Sequence, residues 1–531
     1  MIEAKTLPPP DDLQPVRRAL ISVYDKSGLV PFAQRLAHHG ITIISTGGTA
    51  KALEQAGMPV TEVSSLTGFP EILGGRVKTL HPVVHAGLLA RRNDRDDLSN
   101  LAELQIEPID LVVVNLYPFT EVVSRENITE AEAIENIDIG GPTMVRAAAK
   151  NFYFVGVVSS PSDYDTVADE LDRNGGMLSL KLRRELSRKA FQLTAQYDRA
   201  ITEYFTKTGA VEQDVLPDRL QISLPKGQEL RYGENPHQKA AYYGDTSSLF
   251  EQLHGKELSF NNLIDLDAGL ALIDEFRDDD PTCAILKHTN PCGVATAPSL
   301  LEAWEGAFAT DRQSPFGGIV VFNRPLDRAT AEAVDQLFTE IIIAPGYEEG
   351  VLDFLKQKKN RRLILTRQQT KTGALDIRSA VGGLLVQEKD PPIPPVEEIK
   401  SQWKVVTRRA PDPDEWADIY FAWRVVKHVK SNAILFAKNG RTLGIGAGQM
   451  SRIDSSEIAV SKAGKSGLDL TGSVVASDAF FPFADGLEAA ANVGARTAVQ
   501  PGGSVRDQEV IDAADRMNVA MVFTGNRHFR H

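Results

Sequence analysis

Residues 18–50 have the sequence RALISVYDKSGLVPFAQRLAHHGITIISTGGTA, which sets the fold of the N-terminal part of the chain. Arg18–Val23 and Ile41–Ser45 are apolar runs of strand length, and Leu29–His39 between them repeats its apolar side chains at helical spacing. Gly40 supplies the glycine that commonly closes a helix. Because a strand, a helix and a second strand in succession favour parallel strands, this stretch predicts a β-α-β unit.

The same alternation continues beyond residue 50. A second helix is predicted from Ala50 to Ala56, closed by Gly57, and further buried strands are predicted at Leu111–Asn115 and Phe154–Ser159. Strands that alternate with helices predict an α/β fold with a mainly parallel sheet. The acidic, proline-rich residues 1–16 precede this pattern and are predicted to be a flexible leader.

Chain length predicts more than one domain. A chain of 531 residues is expected to form three or four domains of about 150 residues each. The polar segment 206–230 breaks the alternation of strands and helices, so a domain boundary is predicted there.

The second half of the sequence contains a weak internal repeat. The sequence KHTN at 287–290 is echoed by KHVKSN at 427–432, and SPFGG at 314–318 is followed downstream by DAFFP at 478–482. These similarities predict two related α/β subdomains in tandem, and the proline-rich stretch 387–413 is a candidate connection between them.

Composition disfavours several classes of protein. The formal charge is −13 and the isoelectric point is about 5.4, whereas nucleic acids and anionic membrane surfaces favour a basic partner. The two cysteines do not indicate a disulfide framework, and no Cys-x-x-Cys or His-x-x-x-His pair indicates zinc. No signal peptide and no apolar run of about 18 residues is present. The expected location is the cytoplasm, and the expected partners are small molecules rather than nucleic acid or membrane.

Two glycine-containing loops are candidate phosphate sites. Residues 45–49, STGGT, lie between a strand and a helix, where the free N–H groups of a helix start favour an anion. The alternative is a tight turn that needs glycine only for its geometry. Residues 74–82, GGRVKTLHP, place two cations and a hydroxyl beside a glycine pair, which suits a phosphate or a developing oxyanion. The alternative there is a solvated basic loop.

Three further segments carry candidate binding groups. Residues 115–119, NLYPF, follow a predicted strand, and open α/β sheets bind ligands at this end; the aromatic ring could instead simply pack on the core. Residues 138–142, DIGGP, precede a helical stretch, where the aspartate could also be only a helix cap. Residues 231–238, RYGENPHQ, are typical of a binding loop or of an exposed linker.

The segment 287–293, KHTNPCG, follows a buried apolar run. The cation of Lys287 favours a neutral His288, which can act as a base, and the ammonium group can also stabilise negative charge that forms nearby. The alternative is that His288 makes only a structural hydrogen bond.

Taken in order, these motifs resemble a known enzyme family, the bifunctional purine-biosynthesis enzymes that join phosphoribosylaminoimidazolecarboxamide (AICAR) formyltransferase to IMP cyclohydrolase. The resemblance spans residues 17–531 and rests on GFPEILGGRVKTLHP, IDIGGPTMVRAAAKN, LRYGENPHQ, LKHTNPCGVA, SPFGG, IIIAPGY, KSNAI with GIGAGQ, SDAFFPF and GNRHFRH. It implies a methylglyoxal-synthase-like cyclohydrolase domain at 17–210. It further implies a formyltransferase domain at 211–531, made of two cytidine-deaminase-like subdomains that split near 390–415.

The resemblance implies the final two steps of de novo purine synthesis. AICAR would receive a formyl group from the co-substrate 10-formyltetrahydrofolate, giving FAICAR, and FAICAR would then lose water and close to IMP. It also implies that catalysis needs no metal, and that the chain forms a homodimer whose transferase sites are built across the interface.

The resemblance also implies roles for individual residues. Ring closure would involve Lys78, Tyr117, Asp138 and Lys150, and the cyclohydrolase nucleotide would contact Asp25, Lys26, Thr46, Gly47, Gly48, Thr49, Arg76, Val77, Thr79, Asn115 and Ile139. In formyl transfer, His288 would remove a proton from the 5-amino group and Lys287 would stabilise the transition state. AICAR would be held by Arg231, Tyr232, Gly317, Glu340, Phe480 and Arg527. Folate would be held by Asn432, Arg452, Ile453, Asp485, Ser504, Val505 and Phe529.

The chain departs from the family pattern at Tyr24, where a serine is common, so no phosphate contact is assigned to Tyr24. Two other functions stay open at this point. One is a nucleotide- or folate-binding regulator without catalysis, which the retained Lys287, His288 and Lys150 disfavour. The other is a formyltransferase whose cyclohydrolase half is inactive, for which Tyr24 is the only hint.

Overall fold

The computed structural model describes residues 5–125, 127–208, 216–367 and 375–531. The chain forms two compact units, Met1–Asp214 and Val215–His531. The domain boundary predicted between residues 210 and 211 lies outside the described residues. Among the described helices, none is both long enough and apolar enough to cross a membrane.

The elements of the first unit alternate strands with helices. Its strands are β1 (Leu13–Pro15), β2 (Arg18–Ser22), β3 (Thr42–Ser45), β4 (Thr61–Glu62), β5 (Leu111–Val114), β6 (Gly156–Val158) and β7 (Met177–Ser179). Its helices are α1 (Leu29–His38), α2 (Gly47–Gln55), α3 (Val63–Thr67), α4 (Pro82–Leu89), α5 (Arg95–Glu103), α6 (Phe119–Val123), α7 (Glu130–Glu135), α8 (Gly140–Lys150), α9 (Tyr164–Arg173) and α10 (Leu180–Thr208). Short 3-10 turns lie at Leu73–Gly75 and Pro161–Asp163.

Five of these strands form a parallel sheet in the order β4-β3-β2-β5-β6. Ala19 of β2 pairs with Ile43 on one side and with Leu111 on the other. The central strands are apolar because helices cover both faces of a parallel sheet and leave no solvent-facing side. The predicted parallel α/β fold of this unit is confirmed. Helix α2 begins at Gly47, earlier than the predicted Ala50, because the glycine turn is itself the first helical turn.

The structure differs from the predicted flexible leader. Residues 13–15 form strand β1, which pairs antiparallel with β7. The buried guanidinium of Arg183 donates to the backbone carbonyls of Asp11 and Asp12, and Lys5 forms ion pairs with Asp94 and Asp96. The described residues of the predicted leader are therefore held by strand β7 and by charged side chains from distant parts of the chain.

The second unit is built mainly on one large sheet. Its strands are β8 (Lys226–Leu230), β9 (Ala240–Tyr243), β10 (Phe250–His254), β11 (Thr282–Lys287), β12 (Asn290–Thr296), β13 (Ile319–Phe322), β14 (Ile341–Ala344), β15 (Arg362–Thr366), β16 (Leu375–Ala380), β17 (Gly383–Glu388), β18 (Lys404–Val405), β19 (Ile434–Lys438), β20 (Arg441–Gly446), β21 (Val474–Ser477), β22 (Thr497–Gln500) and β23 (Ala520–Phe523). Its helices are α11 (Phe260–Asp274), α12 (Leu300–Thr310), α13 (Arg328–Asp335), α14 (Val351–Leu355), α15 (Val396–Ile399), α16 (Pro413–Val426), α17 (Arg452–Lys465), α18 (Asp485–Asn492) and α19 (Asp507–Arg516).

The twelve-stranded sheet is an internal repeat. Its order is β10-β15-β14-β13-β11-β12-β20-β19-β21-β22-β23-β18, so the second half mirrors the first about the central β12–β20 pair. Each half has an antiparallel hairpin, then three mutually parallel strands, then an antiparallel edge strand. This confirms the prediction of two related α/β subdomains.

The residues that are equivalent in the two halves differ from those predicted from the sequence repeat. The turn Lys287–Asn290 between β11 and β12 corresponds to the turn Lys438–Arg441 between β19 and β20. Lys427 and His428 instead follow α16 and are buried against Glu275, with Lys427 Nζ 2.7 Å and His428 Nε2 3.2 Å from Oε1 of Glu275. Burial opposes ionisation of Glu275, but these two neighbours outweigh it and lower the pKa of Glu275 to about 2.

Candidate active sites

The first candidate site lies at the carboxyl edge of the parallel sheet. From β2 the chain adds β3 and β4 on one side of the sheet and then crosses to add β5 and β6 on the other side of β2. Such a switch point is where open α/β sheets bind ligands. Asn115, directly after β5, ties the neighbouring loop in place. Its Oδ1 accepts the N–H groups of Tyr24 (2.6 Å) and Asp25 (3.0 Å), and its Nδ2 donates to the carbonyl of Asp25 (2.9 Å). Asn115 therefore joins two strand ends of the site.

The turn Thr46–Thr49 leads directly into α2. Thr46 is the N-cap, and its side chain makes no capping hydrogen bond, which leaves the first N–H groups of the helix available to an anion. The hydroxyl of Thr49 is buried and is used within the protein, because it accepts from the N–H of Val23 and donates to the carbonyl of Val23, both at 3.0 Å. Thr49 thus fixes the loop after β2.

Lys78 lies over this glycine turn. A Cβ atom on Gly47, which has φ of 56°, would stand 3.4 Å from Nζ of Lys78, and Nζ also pairs with Glu71 at 3.0 Å. A Cβ atom on Gly75, which has φ of 98°, would approach Cε of Lys78 and Oε1 of Glu71 to 2.8 Å. Glycine is required at Gly75 for both its backbone conformation and the space it leaves for Lys78.

Asp138 lies at the N-terminal end of α8. Its Oδ1 accepts the N–H of Gly141 at 2.8 Å, and the backbone amides of Tyr117 and Gly140 also stabilise the carboxylate. Burial nevertheless dominates and raises the pKa of Asp138 above its usual value. The buried Thr79 borders the same helix start, since its Oγ1 would lie 3.2 Å from a Cβ atom on Gly140. The 76–79 loop and Asp138 therefore face each other.

The remaining predicted residues of this site differ in their surroundings. Tyr117 is half exposed, and its ring meets that of Tyr24 edge to face at 5.7 Å, so the unusual Tyr24 borders the site. Arg76 is exposed and forms an ion pair with Glu135, and Asp25, Lys26, Gly48 and Ile139 are also exposed. Val77 is partly buried and forms an isolated β-bridge with Ile72.

Lys150 lies on the same helix as Asp138 but near its other end. It is the last residue of α8, whereas Asp138 precedes the first, which places Lys150 about 15 Å along the helix axis from the site. The resemblance assigns Lys150 and Asp138 to one reaction, and the role of each stays a prediction.

The second candidate site is the turn between β11 and β12. His288 and Thr289 both have positive φ, 53° and 65°, which matches the type I′ turn of a two-residue hairpin. This conformation favours asparagine or glycine and is strained for a β-branched residue such as Thr289. His288 is exposed, so the turn presents its imidazole to solvent.

Three groups hold this turn from outside. Asp265 of α11 accepts the N–H of Thr289 at 2.7 Å. Nζ of Lys287 donates to the carbonyl of Phe316 at 2.7 Å, next to Gly317, which has φ of 74°. Oδ1 of Asn290 accepts the N–H of Lys430 at 2.9 Å, so the turn is also tied to the second half of the repeat.

The predicted AICAR-side residues lie in several loops of the second unit, and three of them contact neighbouring residues. Glu340 donates its N–H to the carbonyl of Gly318 at 2.9 Å, and its Oε1 accepts from Arg362 at 3.0 Å. The guanidinium of Arg231 lies 5.6 Å from the ring centre of Tyr232, in the loop after β8. Phe480 follows β21 in the second half and is partly buried.

Asn432 and Arg452 belong to one buried polar cluster. Arg452 donates to Oδ1 of Asn432 (2.8 Å), to Ser477 (2.9 Å) and to the fully buried Asp478. Nδ2 of Asn432 donates to the carbonyl of Gln449 at 2.9 Å. Both side chains are therefore held within the protein, and the next residue along the helix, Ile453, is partly buried.

The last residues of the chain pack against the same cluster. Ser431 and Arg530 exchange hydrogen bonds, Ser431 N–H to the Arg530 carbonyl (2.9 Å) and Arg530 N–H to Oγ of Ser431 (3.0 Å). His528 N–H donates to the carbonyl of Asp478 at 3.1 Å. The guanidinium of Arg527 lies 4.3 Å from the ring centre of Phe529. Since Lys430 binds Asn290, the tail reaches the neighbourhood of the His288 turn.

Three other predicted folate-side residues lie around the carboxyl ends of β21 and β22. Asp485 begins α18, and Ser504 and Val505 lie in the loop between β22 and α19. Asp507 accepts the N–H of Ser504 at 3.1 Å, and Val505 is fully exposed. The described residues contain no group of three or more His, Cys, Asp or Glu side chains that could hold a metal ion.

Sequence reasoning missed Asp265, and it gave no role to Asn290 or Phe316 although both lie in the quoted motifs KHTN and SPFGG. Asp265 and Asn290 act on backbone groups, and Phe316 contributes only its carbonyl, so residue identity does not reveal these contacts. A single aspartate on an amphipathic helix is indistinguishable by sequence from a solvated side chain.

Comparisons with known proteins agree on one family. A family model described as AICARFT/IMPCHase bienzyme matches residues 148–462, and a model described as MGS-like domain matches residues 28–143. The bifunctional purine biosynthesis protein PurH of Chlorobaculum parvum is 54% identical over 524 residues, covering 97% of this chain and 99% of that protein. PurH of Chloroflexus aurantiacus is 58% identical over 519 residues, again covering 97% and 99%. A crystal structure of ForH is 38% identical and covers 37% of this chain and 100% of its own, with a TM-score of 0.35.

Proposed function

Because this chain belongs to the AICARFT/IMPCHase bienzyme family, we propose that its two reactions take place at the two sites described above. The chain is a bifunctional enzyme of purine biosynthesis: it transfers a formyl group from 10-formyltetrahydrofolate to AICAR, and it closes the product FAICAR to IMP. The proposal assigns ring closure to residues 17–210 and formyl transfer to residues 211–531, whose two subdomains meet near residues 390–415.

Formyl transfer is assigned to the turn between β11 and β12. The 5-amino nitrogen of AICAR attacks the formyl carbon, and His288 takes up the proton that this nitrogen loses. The formyl oxygen becomes negatively charged in the tetrahedral intermediate, and the ammonium of Lys287 stabilises that charge. When the carbon–nitrogen bond to folate breaks, the N10 nitrogen leaves with a proton as tetrahydrofolate. The observation that carries this assignment is the exposed imidazole on a turn held from three sides.

The other contacts of the transferase site follow from the resemblance. We propose that Arg231, Tyr232, Gly317, Glu340, Phe480 and Arg527 hold AICAR. We also propose that Asn432, Arg452, Ile453, Asp485, Ser504, Val505 and Phe529 lie on the folate side. The ties from Asn290 to Lys430 and from Ser431 to Arg530 support this, because they link the catalytic turn to the folate side.

Ring closure is assigned to the carboxyl edge of the parallel sheet. The carboxamide nitrogen of FAICAR attacks the formyl carbon, and Lys78 or Tyr117 stabilises the oxyanion that forms. This oxygen leaves as water after it has received two protons, one from the attacking carboxamide nitrogen and one from the formamide nitrogen, which becomes the unprotonated nitrogen of the new ring. Asp138 suits this exchange because its raised pKa lets the carboxyl group hold a proton more readily than an exposed aspartate. Lys150, the last residue of α8, is proposed to assist the same proton transfer.

The nucleotide of the ring-closure site is proposed to meet the loops after β2, β3 and β5. The N-terminal end of α2 and the ammonium groups of Lys26 and Lys78 supply positive charge for its phosphate. Thr79 and Ile139 border the other side. Thr49 and Asn115 are proposed to contact the nucleotide as well, and their side chains also join the neighbouring loops.

A paired assay on the purified chain tests this function. AICAR and 10-formyltetrahydrofolate are supplied, and tetrahydrofolate and IMP are measured together. We expect both products, with IMP following tetrahydrofolate. Tetrahydrofolate without IMP would leave only the transferase assignment standing, and binding without either product would contradict both assignments.

Residues 527–531 are expected to be needed for formyl transfer alone. Their deletion removes Arg527 and Phe529, and we expect kcat/KM for transfer to fall about 10- to 100-fold, the loss typical of one hydrogen bond to a charged group. Ring closure from FAICAR should keep its rate. The Arg527→Ala variant, which retains the packed tail, should reproduce most of the loss. Unchanged transfer kinetics in both variants would contradict the assignment.

We propose that the chain acts as a homodimer in the cytoplasm. The β16–β17 hairpin forms a separate two-stranded sheet and exposes Val381, Leu384 and Leu385. A two-stranded hairpin is marginally stable alone, and an exposed apolar patch is typical of a contact surface. A second copy of the chain, as the family resemblance implies, is the proposed occupant of this surface.

Light scattering after size-exclusion chromatography measures the mass. We expect about twice the 58.0 kDa of one chain. Replacing Leu384 and Leu385 by glutamate should yield monomers with impaired transfer and normal ring closure. The matched control Leu104→Glu, at another exposed leucine, should remain dimeric. A monomeric wild-type chain, or a dimer that survives the double substitution, would contradict the proposal.

A further inference from the structure

In both halves of the repeat, an aspartate carboxylate accepts backbone N–H groups of the hairpin turn. In the first half, the carboxylate of Asp265 accepts the N–H of Thr289 at 2.7 Å, and the backbone amide of His288 also stabilises it. In the second half, Asp418 accepts the N–H groups of Asn439 and Gly440, both at 2.9 Å. Asp265 and Asp418 each lie five residues after the first residue of their helices, α11 and α16. The aspartates are therefore equivalent.

The lysines before the turns are equivalent as well. Lys287 ends β11 and its Nζ donates to the carbonyl of Phe316 at 2.7 Å. Lys438 ends β19 and its Nζ donates to the carbonyl of Thr471 at 2.8 Å. In both halves the accepting carbonyl lies just before the next strand of the sheet, β13 or β21. The aspartate, the lysine and the carbonyl thus form a scaffold that the fold uses twice.

The two residues at the tip of the turn differ between the halves. The second half has Asn439 and Gly440 there, the pair that adopts two successive positive φ angles most readily. The first half has His288 and Thr289, and threonine is poorly suited to φ of 65°. The hydroxyl of Thr289 offers no compensation, since it is buried without a hydrogen-bond partner among the described residues. The first turn therefore depends more on its external support than the second.

We propose that Asp265 is a positioning residue for formyl transfer, which fixes the strained His288–Thr289 turn so that the imidazole of His288 faces the amino group of the substrate. The inference rests on the proposed role of His288. Asp265 touches neither reacting atom in this account; it acts through the backbone N–H groups of the turn. Glu340 is a further carboxylate that interacts with Asp265, so the cation that His288 forms during proton transfer lies in a negative field.

The test compares Asp265→Ala with the matched control Asp418→Ala in the full chain. We expect Asp265→Ala to lower kcat for formyl transfer about 10- to 100-fold, because displacement of a catalytic group by about 1 Å has effects of this size, with KM for AICAR changed less than about threefold. Asp418→Ala should leave kcat within about twofold. Ring closure from FAICAR, measured on the same samples, verifies that each variant is folded.

A second substitution separates positioning from other roles. Adding Thr289→Gly to Asp265→Ala should restore at least about threefold of the lost kcat, because glycine adopts positive φ without support. Asp265→Asn, which keeps an oxygen acceptor for the turn, should retain more activity than Asp265→Ala. Failure of both rescues, or equal effects of Asp265→Ala and Asp418→Ala on kcat, would overturn the inference. His288→Ala is measured in parallel to distinguish failure of the Asp265 inference from failure of the proposed function. Full formyl transfer by His288→Ala would refute the role of His288 itself.

Discussion

The His288→Ala variant is expected to lose formyl transfer and to retain ring closure. Removal of a general base lowers the rate of the chemical step by about 100- to 10,000-fold. The imidazole is exposed on a turn of the second unit, whereas the ring-closure residues surround the carboxyl edge of a sheet in the first unit. The measurement is tetrahydrofolate release from AICAR and 10-formyltetrahydrofolate, followed by IMP formation from FAICAR supplied directly.

His288→Asn provides the control for the backbone. Alanine at φ of 53° adds strain, whereas asparagine tolerates positive φ, as Asn439 does in the equivalent turn. Both variants lack the base, so both should be inactive in transfer. Substantial transfer by His288→Asn would mean that the turn rather than the imidazole is needed, and loss of ring closure in a folded variant would contradict the separation of the sites.

The Asp138→Asn variant is expected to show the opposite pattern. Asparagine keeps the size of the side chain and an oxygen for the N–H of Gly141, but it cannot exchange a proton. We expect ring closure to fall about 100-fold or more, while formyl transfer stays unchanged and FAICAR accumulates. The readouts are IMP absorbance from FAICAR and tetrahydrofolate release from AICAR.

A substitution on the same helix controls for damage to α8. Thr143 is partly exposed, and its hydroxyl donates to the carbonyl of Ile139 at 2.6 Å, one turn from Asp138. Thr143→Ala should therefore disturb the helix start without removing the carboxyl group, and ring closure should fall less than about threefold. An equal loss in Thr143→Ala and Asp138→Asn would indicate that the helix start, not the proton of Asp138, limits the reaction.

The sequence predicted the first unit well because its strands are buried on both faces. Such strands read as continuous apolar runs, as at 18–23, 41–45 and 111–115, and each became a strand of the parallel sheet. The pairing of residues 13–15 with β7 was not predicted, because it depends on a partner more than 160 residues away and on the buried Arg183. Local composition contains no information on such a contact.

The repeat of the second unit was predicted, but its register was not. The letters Lys-His occur twice, once on the exposed turn at 287–288 and once in the buried cluster with Glu275 at 427–428. Similarly, SPFGG at 314–318 precedes β13, whereas DAFFP at 478–482 follows β21. Similar sequence therefore indicated the wrong pairs of equivalent residues. The equivalent turns are identified instead by their backbone conformation, since both have two successive positive φ angles.

The candidate site residues were predicted from residue identity within motifs. Residue identity does not show which side chains lie close together or which are already hydrogen-bonded within the protein. Lys150 matches a family position, yet the length of α8 separates it from Asp138. Thr49 and Asn115 match ligand positions, yet their polar groups are occupied by neighbouring backbone. Asp265 went unnoticed because its partners are backbone amides that only folding brings to it.

The central claim, that one chain carries two independent sites, is tested most directly by mixing two defective variants. His288→Ala and Asp138→Asn are each supplied alone, and then together, with AICAR and 10-formyltetrahydrofolate, and IMP is measured. Each variant alone should form little IMP, and the mixture should form it readily, since one variant makes FAICAR and the other closes it. A mixture of the folded variants that forms no more IMP than either alone would contradict the account.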